Sequence, residues 1–207
     1  MTASRIVLGW ARDRPARTAQ MTTRKVGSLF LLMTTAQTAA VPRAIMHQQV
    51  RCFENGIDFL PTAPAGNMTE TQGVRLAETH ERTMTAELAR LKGKGQLNLS
   101  MNWESPTDRK LAVSRGQDWL RARQHGHAVS DHRRRRAIAF LDQCKFNGWD
   151  TCTRQPRNRV ERDVLMPRGE LEDALSHIRR QAADCDENDL ALAITGLWPP
   201  FSFVKPF

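Results

Sequence analysis

Apolar and polar positions alternate most regularly where Leu97, Leu99, Met101 and Trp103 are interleaved with Asn98, Ser100, Asn102 and Glu104. An extended chain points successive side chains to opposite faces, so this stretch predicts a half-buried strand. The residues before it follow another period. From Glu70 to Leu91 the positions Val74, Ala77, Met84, Leu88 and Leu91 recur at helical steps, interrupted at Glu81, which predicts a long amphipathic helix ended by Gly93 and Gly95. A short apolar strand, Ile57 to Leu60, precedes that helix and is stopped by Pro61, Pro64 and Gly66. Together the three pieces read as a β-α-β unit.

The same reasoning extends to both ends. Ile6, Leu8 and Trp10 share one face of a strand over Arg5 to Trp10, and Leu29 to Met33 is apolar on both faces, as a central strand is. Thr38 is placed to cap a helix with Pro42 in its first turn and Met46, Val50 and Phe53 at helical spacing up to Gly56. Beyond Trp103, Ser105-Pro106-Thr107-Asp108 supplies an N-cap and a first-turn proline for a helix through Leu111, Trp119 and Leu120. It is expected to pause near Gly126 and resume at Ala137, Leu141 and Cys144. A second β-α-β unit closes the chain, with a strand over Val160 to Met166, a helix whose apolar face is Leu171, Ala174, Leu175, Ile178 and Ala182, and a strand carrying Leu190, Leu192 and Ile194. The expected fold class is α+β in two small domains. An N-terminal α/β domain spans residues 1–55, a modified ferredoxin-like βαβ-α-βαβ domain spans 56–195, and an aromatic and proline-rich tail spans 196–207.

Composition sharpens this picture in two respects. Of 207 residues, 40% are apolar and 26% charged, which is ample for a folded core. The formal charge is +9, and residues 105–168 alone carry +8 of it, so an anionic partner is expected to meet that segment. The four cysteines form no C-x-x-C pair, and reduced thiols in a cytoplasmic protein are the simplest reading. The apolar run around Ser28 to Met33 is far shorter than a membrane span, so no membrane association is expected. Arg5, Arg12, Arg14 and Arg17 superficially suggest a transit peptide, but the alternation of Ile6, Leu8 and Trp10 reads as mature structure.

Candidate chemistry is thin. His125-Gly126-His127 followed by Asp131-His132 has the residue types of a hydrolase metal site, yet two extra residues separate the halves and the context is helical. Arg133 to Arg136, with Arg121, Arg123, Arg154, Arg157, Arg159 and Arg162, are suited to neutralise phosphates, and an RNA-binding ferredoxin-like module is the alternative reading. That reading lacks stacking residues, since the chain has no Tyr and the Val160 strand has no aromatic side chain. Lys92-Gly93-Lys94-Gly95 follows a helix instead of opening one, so it ends the helix and cradles no phosphate. No catalytic, cofactor-binding or metal-ligating residue is assigned, no cofactor is expected, and nucleic acid is not the expected partner.

The chain end carries more information. Thr195-Gly196-Leu197-Trp198-Pro199-Pro200-Phe201-Ser202-Phe203 is dense in rings and prolines. Each large ring represents about 1.5–3 kcal/mol of burial, so the tail must dock, on its own domain or on a partner. Gly196, Trp198, Pro199, Pro200, Phe201 and Phe203 are therefore the candidate protein-binding or tail-docking residues. This ending resembles the gas-vesicle accessory proteins of the F and L type, whose chains finish in T-G-P-W-P-P-Y-S-F after a strand. His47 in the first helix, the Leu60-Pro61 turn, and a long helix ending in Lys92-Gly93 before a strand ending in Trp103 are further similarities. Leu197 and Phe201 depart from the pattern, as does Thr62-Ala63-Pro64-Ala65-Gly66, where the family has an arginine, an aromatic and a glycine. The resemblance implies a non-enzymatic, cytoplasmic accessory protein of buoyancy-giving gas vesicles. Its implied partners are the hydrophobic A-type shell subunit, whose nucleation or assembly it assists, and other gas vesicle accessory proteins.

Overall fold

Val7, Leu8, Trp10 and Ala11 are all buried, so the strand that carries them, β1 (Arg5–Ala11), is covered on both faces. The structure is a computed structural model that describes residues 5–15, 21–35, 42–63, 67–103, 116–144, 146, 148–156, 158–184 and 190–207. It divides into two units, one of residues 1–96 with 198–207 and one of residues 97–197.

In the first unit, β2 (Thr22–Val26), β3 (Leu29–Thr35) and β4 (Phe59–Pro61) join β1 in the order β2-β3-β1-β4. Gly27, at φ 57°, makes the tight turn between β2 and β3. The register of β1 on β3 shifts between Val7 and Gly9, and β4 lies against Gly9 so closely that a side chain there would collide with the Leu60 carbonyl. Helices α1 (Pro42–Glu54) and α2 (Glu70–Leu91) complete the unit. Thr69 and Gln72 form a reciprocal capping box at the start of α2. The helix departs from helical geometry at His80 (φ −120°, ψ 17°) and buries Ala77, Met84, Leu88 and Leu91.

The second unit contains most of β5 (Lys94–Asn102) and β8 (Ala191–Trp198), together with α3 (Gly116–Gln143), β6 (Asp150–Arg154), β7 (Arg159–Pro167) and α4 (Leu171–Asp184). Its sheet order is β6-β7-β5-β8. Leu97, Leu99, Met101 and Trp103 point into a core with Phe140, Leu141, Val160, Val164, Met166, Ala174 and Ile178, as the two periodicities foretold. Leu171, Leu175, Leu192 and Ile194 pack against that core.

Four expectations change. Ile57 to Leu60 does not share a sheet with β5, because β4 pairs antiparallel with β1. The division therefore falls after Gln96 instead of after residue 55, and the last ten residues group with the first unit. The second unit runs β-α-β-β-α-β instead of the expected βαβ-α-βαβ, since the polar segment Asp150–Arg154 is a strand hairpinned to β7. Helix α3 passes through Gly126 without a break. The expected caps at Thr38 and at Ser105 to Asp108, with Leu111, lie outside the described residues.

Candidate protein-binding site

Strand β8 ends where Pro199 and Pro200 remove two consecutive backbone donors. The chain then folds into a short turn, with the Phe201 amide donating to the Pro199 carbonyl at 2.7 Å and the Phe203 amide to that of Pro200 at 3.0 Å. Pro199 and Pro200 are buried, while Trp198, Phe201, Phe203 and Phe207 are half-buried. Gly196 is exposed and holds φ 135°, a conformation that a side chain would disfavour.

Three polar residues of the first unit grip this segment. The Arg90 guanidinium donates to the Phe203 carbonyl at 2.6 Å and to both carboxylate oxygens of Glu87, at 3.0 and 2.6 Å. Glu87 also accepts the Lys205 amide at 3.3 Å. Gln96 and Ser202 bond reciprocally, with Ser202 N donating to Gln96 Oε1 at 2.9 Å and Gln96 Nε2 donating to Ser202 Oγ at 3.2 Å. The hydrogen bond from Arg90 holds the Glu87 carboxyl below its ordinary range, against the opposing pull of burial. Farther along, the Phe207 ring lies 6.3 Å from that of His80, where α2 departs from helical geometry.

Beside the docked tail is a cavity of about 380 Å³ whose walls include Trp10, Met68, Leu76, Phe201, Val204 and Phe207. Its shape is fixed from behind. The Trp10 indole donates to the Gly73 carbonyl at 3.2 Å, and Gln49 Nε2 donates to the carbonyls of Leu8 and Thr62 at 2.8 and 2.9 Å. A lining of this kind offers burial to an apolar group. A second, polar groove of about 640 Å³ runs past Arg12, Ser28, Glu78, Glu81, Arg82 and Thr85. There Glu81 accepts the Ser28 amide at 2.6 Å, and its bonds with Ser28, side chain first and amide second, lower its pKa.

Glu87, Arg90 and Gln96 were not among the residues singled out in the sequence. Glu87 did carry a signal, since it stands among Met84, Leu88 and Leu91 on the apolar stripe of α2. The other candidates are placed differently. His127, Asp131 and His132 are exposed on α3, the His125 side chain lies outside the described residues, and among the described residues no group of three His, Cys, Asp or Glu is placed to hold a metal. The basic residues near β7 are engaged within the protein. Arg154 pairs with the fully buried Asp163 at 2.7 Å, Arg159 with Glu161 at 2.9 Å, and Arg162 donates to the Leu141 carbonyl and to Asp142. Arg134 lies 3.8 Å from Asp131. Arg157 and the side chains of Arg121 and Arg123 lie outside the described residues. Gly93, at φ 69°, follows α2, as a helix-ending residue should. Among the described residues no helix is long and apolar enough to cross a membrane.

A family model for the gas vesicle synthesis protein GvpL/GvpF matches residues 67–205. The fold is similar to the crystal structure of gas vesicle protein GvpF from Microcystis aeruginosa, with a TM-score of 0.74, 13% identity, and coverage of 98% of this chain and 99% of that one. It is also similar to GvpF from Anabaena sp. PCC7120, with a TM-score of 0.77, 13% identity, and coverage of 100% and 98%. No curated protein matches the sequence.

Proposed function

The chain belongs to the gas vesicle synthesis GvpL/GvpF family, and from that premise we propose that it is a cytoplasmic accessory protein that binds the hydrophobic gas vesicle shell subunit and assists its nucleation and assembly. The single observation that carries this reading is the family match, which runs from the start of α2 through the aromatic tail. Shell subunits that build a gas-facing wall expose apolar surface before they assemble, and an accessory protein with a preformed apolar cavity suits that task. Gly196, Trp198, Pro199, Pro200, Phe201 and Phe203 have the tail-docking role in this reading, and the rings beside the cavity face the partner. The role is one of binding and not catalysis. The β-α-β-β-α-β order of the second unit supports a ferredoxin-like arrangement there. Because Arg154, Arg159 and Arg162 are spent on internal partners, the basic segment favours protein structure over RNA binding.

The test is capture of the shell subunit by the wild-type chain and by Phe201→Ala/Phe207→Ala, with the fold of each checked by circular dichroism. Capture by wild type and at least a tenfold loss in the variant, with its fold intact, is the expected result. Failure of the wild type to capture the shell subunit overturns the proposal.

A further inference from the structure

Among the described residues each sheet ends in two edge strands, and three of these four are protected. β2 carries Arg24 and Lys25, β4 is three residues long and ends in Pro61, and β6 begins with Asp150 and ends with Arg154. Charge, shortness and proline are the usual devices that stop an edge from pairing with another chain. The fourth edge has none of them. β8 is eight residues long, Ala191-Leu192-Ala193-Ile194-Thr195-Gly196-Leu197-Trp198, without a charged residue or a proline. Leu192 and Ile194 pack on the core, which leaves Ala191, Ala193 and Thr195 exposed on the other face. The neighbouring strand β5 turns Gln96, Asn98, Ser100 and Asn102 to that face, with Lys94 at its start the one charged residue among them. Along the outer side of β8, no strand is paired among the described residues.

We propose that the outer edge of β8 is a docking site for an extended, apolar segment of an acidic partner, which adds a strand to the sheet. Backbone groups of β8 supply the hydrogen bonds, and the small side chains Ala191 and Ala193 let the added strand lie close. Charge selects the occupant. At +9, a second copy of this chain meets long-range repulsion, whereas an acidic chain is drawn in. The inference rests on the proposed function in taking the shell subunit as that partner.

The experiment has two readings made on the same samples, capture of the shell subunit and hydrogen–deuterium exchange of the full chain with and without it. Capture is expected together with slowed exchange over residues 191–197. Ala191→Lys/Ala193→Lys, which adds edge-protecting charge, should weaken capture at least tenfold. The control Thr22→Lys/Thr151→Lys, with the same added charge on exposed positions of protected edges, should bind as wild type does. Because the lysines increase attraction to an acidic partner, a loss reports the edge and not repulsion. Capture with β8 unprotected and the β8 variant undiminished overturns this inference alone. No capture by the wild type overturns the proposed function and the inference together. Dimerisation of the chain by itself, abolished by the two β8 lysines, would put a second copy on the edge and overturn the choice of partner.

Discussion

Replacing Arg90 by alanine tests whether the tail is held by the charges beneath it. The guanidinium supplies the hydrogen bond to the Phe203 carbonyl and both bonds to Glu87, whose side chain is 7% exposed. Without it, the carboxylate remains where water scarcely reaches. Removing one member of a buried pair costs about 3–5 kcal/mol. Arg90 itself is 30% exposed, so water replaces part of what is lost, and the low end of about 3 kcal/mol is expected. A surface pair would cost about 0–1 kcal/mol, so the two cases are separable. Glu87→Gln is milder, about 1–2 kcal/mol, because an amide oxygen can still accept from Arg90 and Lys205. Acid adds an independent check. The folded-state pKa of Glu87 lies below its ordinary 4.5, so its contribution is fully present above about pH 4.5 and is lost as the pH falls through the folded value. Glu87→Gln should remove that share of the acid sensitivity. Urea unfolding gives the energies, and the rate of chymotrypsin cleavage at the tail rings shows whether the segment has come free. A cost below about 0.5 kcal/mol for Arg90→Ala, the level of a plain surface substitution, with a tail as protease-resistant as wild type, would refute the reasoning.

Two further outcomes follow from packing. Gly9→Ala should destabilise the first unit by about 3 kcal/mol, the upper part of the range for overpacking, because its new methyl meets the rigid Leu60 backbone and not a side chain that can turn aside; thermal unfolding measures this. Burial pushes the Cys52 thiol up to about 11, while Cys152 is half-exposed, so at pH 8 an aromatic disulfide reagent should label Cys152 in the native protein and reach Cys52 only on unfolding.

The elements that the sequence made legible are those whose periodicity matches their burial. β5 alternates because one of its faces is core, and α2 and α4 show stripes because each turns one side to the core. β2 and β6 were missed for the complementary reason. Thr22–Val26 and Asp150–Arg154 are polar edge strands, held by pairing to β3 and β7 and not by any apolar face of their own. The sheet to which β4 belongs was equally hidden. Three apolar residues show burial but not a partner, and it is the pairing of Trp10 with Leu60 that assigns them to the first sheet. The chain-end motif pointed to the tail, yet the residues that hold it lie elsewhere in the sequence.

Those residues share a property that links the fold to the candidate site. Glu81 and Glu87 interrupt the apolar stripe of α2, and Gln49 is a fully buried amide on α1. Glu87 and Gln49 are buried and need a partner, because burial without a hydrogen bond costs about 1–3 kcal/mol, and Glu81, at the open polar groove, has one as well. Each has one far away in sequence. Glu81 takes the amide of Ser28, 53 positions distant, Gln49 ties Leu8 to Thr62, and Glu87 takes the Lys205 amide, 118 positions distant. The interruptions of pattern are thus the points at which local structure is committed to tertiary structure. One fixes a hairpin turn, one ties the cavity wall, and one anchors the tail, so each polar exception joins segments that are distant in sequence.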